Sequence, residues 1–249
     1  MISVCIATHN GEKFIRSQIE SVLLQLSTDD EVIVSDDGSS DNTIDIIQKI
    51  GDKRIKIYEY KQDATLLQMT KSTFRLCAAN FQKALSRAQG DYIFLADQDD
   101  LWSKDRVQQV MEAFQREDCD MVLCNYRIID QNGNDTDILG HTKNPIRKNL
   151  LLNLCNIPFM GCCIAIKKDV LKYCLPFPYA CISHDNWIGC LVGYFGKIVY
   201  LQDPLHLYRR HFDNVSPTTQ KSENNYWFRI NYRIVLLWQM LNRILKMKE

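Results

Sequence analysis

Between Ser3 and Asn125 the chain alternates short apolar runs with stretches whose apolar residues recur every three or four positions. Ser3–Thr8 predicts a buried strand, and Phe14–Leu26 a helix with Ile15, Ile19, Val22 and Leu26 on one face. Glu31–Ser35 and Thr43–Ile50 repeat the pair, the second helix being entered through Ser39-Ser40-Asp41, residue types that cap helix N-termini. Ile55–Tyr60 predicts a third strand, and Ser72–Ala88 a longer helix with Gly90 as its stop. Tyr92–Ala96 predicts the fourth strand, Lys104–Arg116 a helix and Met121–Asn125 the fifth strand. Strands separated by helices in this way form a mainly parallel sheet with both faces covered, an α/β fold. Such sheets bind ligands outside the carboxyl ends of their strands, so the residues after each strand carry the functional question.

Beyond residue 126 the pattern loosens. Asp130–Asp135 reads as a turn, Cys162–Ile166 as a strand, Asn186–Tyr194 as a helix, and Lys197–Leu201 and Leu205–Arg209 as two strands. No repeat or linker-like tract interrupts the 249 residues, which fit one domain over 1–222 followed by a helix over 223–249. Lys and Arg number 30, as do Asp and Glu, so the basic surplus of a nucleic-acid binder is missing. Ten cysteines contain no C-x-x-C pair, which argues against a zinc ribbon or a thioredoxin-like couple. Met1–Ala7 has no basic region and no long apolar core of a secretory signal. No apolar run approaches the ~20 residues that cross a bilayer. These features predict a cytoplasmic protein with reduced thiols.

Three predicted strands end in polar clusters: Thr8-His9-Asn10-Gly11-Glu12, Asp36-Asp37-Gly38-Ser39 and Asp97-Gln98-Asp99-Asp100. Turns favour these residue types for their own sake, and any one cluster could be turn chemistry alone. Three on one rim are harder to explain that way. The third places three carboxylates within four residues directly after an apolar strand, a repulsive arrangement unless a cation compensates. Oxygen donors suit Mg²⁺ or Mn²⁺, which commonly take one or two carboxylates plus phosphate oxygens of a substrate. No glycine-rich phosphate loop of either common spacing is present.

Six segments in order resemble the large inverting glycosyltransferase family two, of GT-A fold, which serves bacterial surface-polysaccharide synthesis. They are Val4–Gly11, Val32–Asp41, Phe94–Trp102, Gly161–Ile166, Ser183–Trp187 and Tyr208–Ser216, the last similar to the Y-R-x-H-x-x-N-V-S segment of rhamnosyltransferase-like members. The resemblance implies a UDP- or dTDP-linked donor of rhamnose, galactose or glucose type and a saccharide acceptor, lipid-linked or free. It implies that Asp37 hydrogen-bonds the nucleobase between Ala7 and His9, with Thr8, Asn10 and Gln98 completing the nucleotide-sugar set. Asp97 approaches the ribose and Asp99 holds Mn²⁺ or Mg²⁺ on the diphosphate, with Asp100 and His211 as further ligands. Asp185 is the general base, or else caps the helix that follows it. Arg209 and Arg210 reach the diphosphate, or form a solvated basic strand end. His9 departs from the family, where Tyr is common. Two rival readings are a D-x-D phosphohydrolase of haloacid-dehalogenase type and a non-catalytic nucleotide-sugar-binding module. The first places its motif after the first strand and follows it with Thr or Val, whereas here it follows the fourth strand and Leu101 comes next.

The last segment, Tyr226–Lys248, is rich in aromatic and aliphatic residues, and its charges are all basic: Arg229, Arg233, Arg243, Lys246 and Lys248. Such a helix lies on the inner face of an anionic membrane, or it packs on the domain or on a second copy of the chain as a homodimer.

Overall fold

The computed structural model describes residues 1–61, 73–147, 150–156, 158–179, 181, 183–211 and 226–247. Ser72, the 222/223 boundary, residues 212–216 of the last motif and Lys248 lie outside them.

Nine strands form one sheet: β1 (Ile2–Thr8), β2 (Glu31–Asp36), β3 (Ile55–Glu59), β4 (Tyr92–Ala96), β5 (Leu101–Trp102), β6 (Met121–Ile129), β7 (Asp135–Leu139), β8 (Ile164–Lys167) and β9 (Ile198–Arg209). Their spatial order is β3-β2-β1-β4-β8-β6-β9-β5, with β7 paired to β6 off this path. β3, β2, β1 and β4 are mutually parallel, as are β6 and β9. β8 is antiparallel to both β4 and β6, so β1, β2, β4, β6 and β9 all point the same way. Their carboxyl ends share a rim, and the register Thr8↔Asp36 and Ile6↔Ala96 brings the three polar clusters level.

β1, β2 and β4 are buried on both faces, which is why they read as unbroken apolar runs rather than alternating ones. Helix α1 (Ile15–Leu23) turns Ile15, Gln18, Ile19 and Val22 inward, and α2 (Thr43–Ile50) stops at Gly51, whose φ of +70° suits glycine. Helix α3 (Thr73–Leu85) buries Ala78, Phe81, Ala84 and Leu85, and α4 (Arg106–Glu117) Val107, Val110, Ala113 and Phe114. Each fully buried Ile, Leu or Phe contributes about 1.5–3 kcal/mol. Two short helices, α5 (Leu150–Asn156) and α6 (Leu171–Cys174), precede α7 (His184–Phe195).

The structure corrects the second half in three places. The two strands expected over 197–209 are one strand, β9, because register shifts on either side of Asn125 absorb the break that Asp203-Pro204 suggests. Asp130–Asp135 does turn, with Gly133 N–H donating to Asp130 O at 3.0 Å, but it leads into the unforeseen strand β7. Helix α7 starts at His184, two residues before its predicted start. All ten cysteines are free thiols, most of them buried.

Helix α8 (Tyr226–Lys246) docks through Leu236, Gln239, Met240 and Ile244. Arg233 donates to Leu154 O and Cys155 O, and Arg243 to Tyr173 O and Leu175 O, so two of its cations fasten it to the domain. Its opposite face leaves Trp227, Ile234, Trp238, Leu241 and Leu245 exposed. Among the described residues no helix is long and apolar enough to cross a membrane.

Glu31 staples β1, β2 and β3 from within. It accepts hydrogen bonds from Ser3 Oγ (2.6 Å), Gln89 N (2.8 Å) and Lys56 Nζ (2.7 Å). Burial pushes its carboxyl up, but these donors outweigh burial and leave it below the usual range. A carboxyl depressed on folding stabilises above its unfolded pKa and loses that stabilisation as pH falls through the folded value. Glu31→Gln is therefore expected to cost about 1–3 kcal/mol at neutral pH and less in acid, read by denaturant melts at both pH values.

Candidate active site

A cavity of about 910 Å³ opens at the carboxyl rim and is lined by residues from both halves of the chain. Its floor is the β1 turn, held on three sides. Gln98 clamps His9 by accepting from its N–H (2.9 Å) and donating to its carbonyl (3.1 Å). Gly11 makes that clamp fit, since a Cβ there would lie 2.5 Å from Gln98 Oε1. Asn10, at φ +51°, receives Ser40 N–H on Oδ1 (2.8 Å) and donates its own N–H to Ser39 Oγ (2.9 Å). Thr8 is buried, its hydroxyl donating to Asp36 Oδ1 (2.9 Å) and its carbonyl accepting from Asp37 N (2.9 Å) and Asn80 Nδ2 (3.1 Å). Asp37 lines the cavity beside Ala7 and pairs with Lys83 Nζ at 3.1 Å, while His9 Nδ1 meets Asp37 O at 3.1 Å.

Asp97 and Asp99 line the cavity next to these groups, and Asp99 Oδ2 lies 2.8 Å from His211 Nε2. Burial first, then the charges of Asp100, Asp99 and Asp185, push the Asp97 carboxyl well above the usual range. Asp185 faces the same cavity from the first turn of α7. Its Oδ1 accepts from Asn186 N (2.7 Å) and from Ser183 Oγ. Ser183 holds the N-cap position, and Asp185 sits in the first turn, where its Oδ1 accepts one of the helix's N-terminal N–H groups while the residue also lines the cavity.

Three of the expected ligands stand outside the cavity lining. Asp100 is 0% exposed, its oxygens taken by Arg209 N (2.8 Å) and His206 Nε2 (2.8 Å). Arg209 donates to Asp99 O (2.8 Å) and Gln131 O (3.1 Å) with its guanidinium over the ring of Phe14, and it is not among the residues that line the cavity. Arg210 donates its N–H to Ile129 O (2.9 Å), and its Nη1 is enclosed with no hydrogen-bond partner among the described residues. Sequence reasoning missed Asn80, Lys83, Arg106 and His206. Their one signal is a polar residue inside an otherwise apolar helical face or strand, which does not distinguish structural from functional use.

Residues 3–175 match the family described as Glycosyl transferase family 2, well over half of the chain. The chain belongs to this family. It is similar to WfgD of Escherichia coli, named a UDP-Glc:alpha-D-GlcNAc-diphosphoundecaprenol beta-1,3-glucosyltransferase, with 30% identity covering 72% of this chain and 64% of WfgD. In fold it is similar to S. aureus TarS bound to UDP-GlcNAc, with a TM-score of 0.68 at 19% identity over 94% of this chain and 66% of that one. It is also similar to the mannosyltransferase PcManGT of Pyrobaculum calidifontis bound to GDP-Man and Mn²⁺, with a TM-score of 0.61 at 17% identity over 98% and 64%. The family-two chain thus has the expected GT-A fold. It spans between 52% and 66% of the length of three curated relatives that it matches.

Proposed function

We propose that the chain is a metal-dependent, inverting glycosyltransferase that moves a sugar from a nucleoside-diphosphate donor to a lipid-linked saccharide in bacterial surface-polysaccharide synthesis. The observation that carries this reading is the meeting of Asp37, Asp97, Asp99 and Asp185 in one cavity. Asp37 and the His9 turn form a polar cleft for the nucleobase, and Asp97 and Asp99 line the same cavity. UDP or dTDP is the expected nucleotide; the relative's name, which specifies UDP-Glc, favours UDP.

Asp99 Oδ2 and His211 Nε2, 2.8 Å apart at the cavity wall, are the two side-chain atoms that would hold a divalent ion together with phosphate oxygens of the donor. A dication there would relieve the like-charge repulsion that raises the neighbouring Asp97. Mn²⁺ or Mg²⁺ bound there would stabilise the charge gathering on the departing diphosphate. Asp100 and Arg209 support this turn from behind instead of touching the donor. Asp185 takes the proton of the acceptor hydroxyl as its oxygen attacks the anomeric carbon from the face opposite the leaving group. Transfer then inverts the configuration.

The test incubates the chain with Mn²⁺, a panel of UDP-, dTDP- and GDP-sugars, and a diphosphoundecaprenol-linked GlcNAc. Mass spectrometry is expected to show one added hexose with one donor, and NMR an inverted anomeric centre. Retained configuration refutes the displacement. Release of phosphate without transfer favours the phosphohydrolase, and nucleotide-induced thermal stabilisation without product favours a binding module.

Access to a lipid-linked acceptor is assigned to the outward face of α8. Trp227 and Trp238 are 75% and 63% exposed on one stripe with Ile234, Leu241 and Leu245, and no acid occurs in this helix. Amphipathic helices of this kind lie in the membrane interface, where tryptophan is favoured. Replacing Trp227 and Trp238 together by Ser is expected to lower co-sedimentation with anionic vesicles by about tenfold. Unchanged pelleting rules out this role, and a concentration-dependent dimer that dissolves in the variant assigns the face to a second copy.

A further inference from the structure

Behind the cavity wall runs a continuous buried chain of polar contacts. Arg106, 1% exposed in the first turn of α4, stacks on Trp102 and donates from Nη2 to Cys162 O at 2.6 Å. Its Nη1 lies 2.6 Å from His206 Nδ1. His206 Nε2 lies 2.8 Å from Asp100 Oδ2, and Asp100 Oδ1 accepts Arg209 N–H at 2.8 Å. A guanidinium has no acceptor, so Nδ1 must accept, and the single imidazole proton sits on Nε2 and points at Asp100. Burial first, then the charge of Arg106, push His206 well below its ordinary value, in keeping with that neutral tautomer.

The chain ends on the loop that presents the site. Asp100 joins the end of β4 to the end of β9 through Arg209, and Arg209 Nε returns to Asp99 O at 2.8 Å. Two residues past Arg209, His211 meets the Asp99 carboxylate. We propose that Arg106 and His206 are positioning residues: they lock Asp100 as a pure acceptor and thereby hold Asp99 and His211 in register side by side at the cavity wall. This rests on the reading of the cavity as the donor site. The Asp100, Cys162 and His206 donor atoms also lie within 4.8 Å of one another, a spacing that a buried metal ion could use. The arginine on one ring nitrogen and the amide on the carboxylate favour hydrogen bonding as the use of this cluster.

The test compares His206→Gln, whose amide can both accept and donate, with His206→Leu, which can do neither. Against the wild type, His206→Leu is expected to lower kcat and raise the Mn²⁺ concentration for half-maximal rate, each by about 10–100-fold, the range for groups that orient metal ligands. The KM for donor should change by less than about threefold, because the nucleobase cleft is untouched. His206→Gln should recover most of both losses. Arg106→Lys keeps the charge but not the two-pronged donor, so it should resemble His206→Leu and carries the test if that variant does not fold. Equal losses in His206→Gln and His206→Leu overturn the relay, as does a drop in melting temperature with kcat and Mn²⁺ dependence unchanged. A metal that persists in the dialysed wild type and vanishes in His206→Gln also overturns it. A wild type without Mn²⁺-dependent transfer refutes the donor-site reading itself, whereas an active wild type matched by its variants refutes only the relay.

Discussion

Asp185→Asn is expected to abolish nearly all transfer, with kcat falling by about 10²–10⁴-fold, the range for loss of a general base. The asparagine keeps an oxygen for Asn186 N–H and the Ser183 hydroxyl, so the first turn of α7 should hold its shape. Donor KM and nucleotide-induced thermal stabilisation should stay near wild type, because Asp37 and the β1 turn are unaltered. That split separates a group acting in the transition state from one that binds ground state and transition state equally. Turnover within a few-fold of wild type would exclude Asp185 as the base.

Asp99→Asn is expected to produce the second largest loss, about 10²–10³-fold in kcat/KM, since it removes a formal charge where leaving-group charge must be neutralised. Its signature differs from that of Asp185→Asn. Excess Mn²⁺ should restore part of the activity, and the Mn²⁺ titration should shift to higher concentration. The charge of Asp99 is also one cause of the raised Asp97 carboxyl. Asp97 in this variant should therefore ionise at lower pH than in the wild type, observable by carboxyl ¹³C NMR on the metal-free protein. An unchanged Asp97 titration with a normal Mn²⁺ curve would remove Asp99 from the metal site.

Much of the donor half was legible because burial on both faces leaves a plain trace. Ile2–Thr8, Glu31–Asp36 and Tyr92–Ala96 have no alternation to misread, and each ends abruptly in polar residues. The second half resisted for physical reasons. Asp203-Pro204 looks like a chain reversal, and only pairing with β6, bulged at Asn125, keeps β9 continuous. Ser183 and Asp185 are both residue types that cap helices, and their positions, Ser183 at the N-cap and Asp185 in the first turn, depend on where α7 begins. Asp99 and Asp100 are neighbours with the same side chain, yet one meets the cavity and the other faces His206. That division depends on Arg106 and His206, one hundred residues apart in the chain.

Among the described residues β8 is the one strand that touches both halves of the sheet, with three register pairs to β4 and three to β6. Asp37, Asp97 and Asp99 follow strands on one side of this seam, and α7 with Asp185 meets that same side directly, His184 stacking on Phe81 of α3 with ring centroids 4.1 Å apart. The spacing between Asp185 and the strand-end carboxylates thus runs through the contact of Phe81 with His184. A change of volume at the buried Phe81, which does not line the cavity, would act like a spacer, altering distance while leaving every reacting group in place.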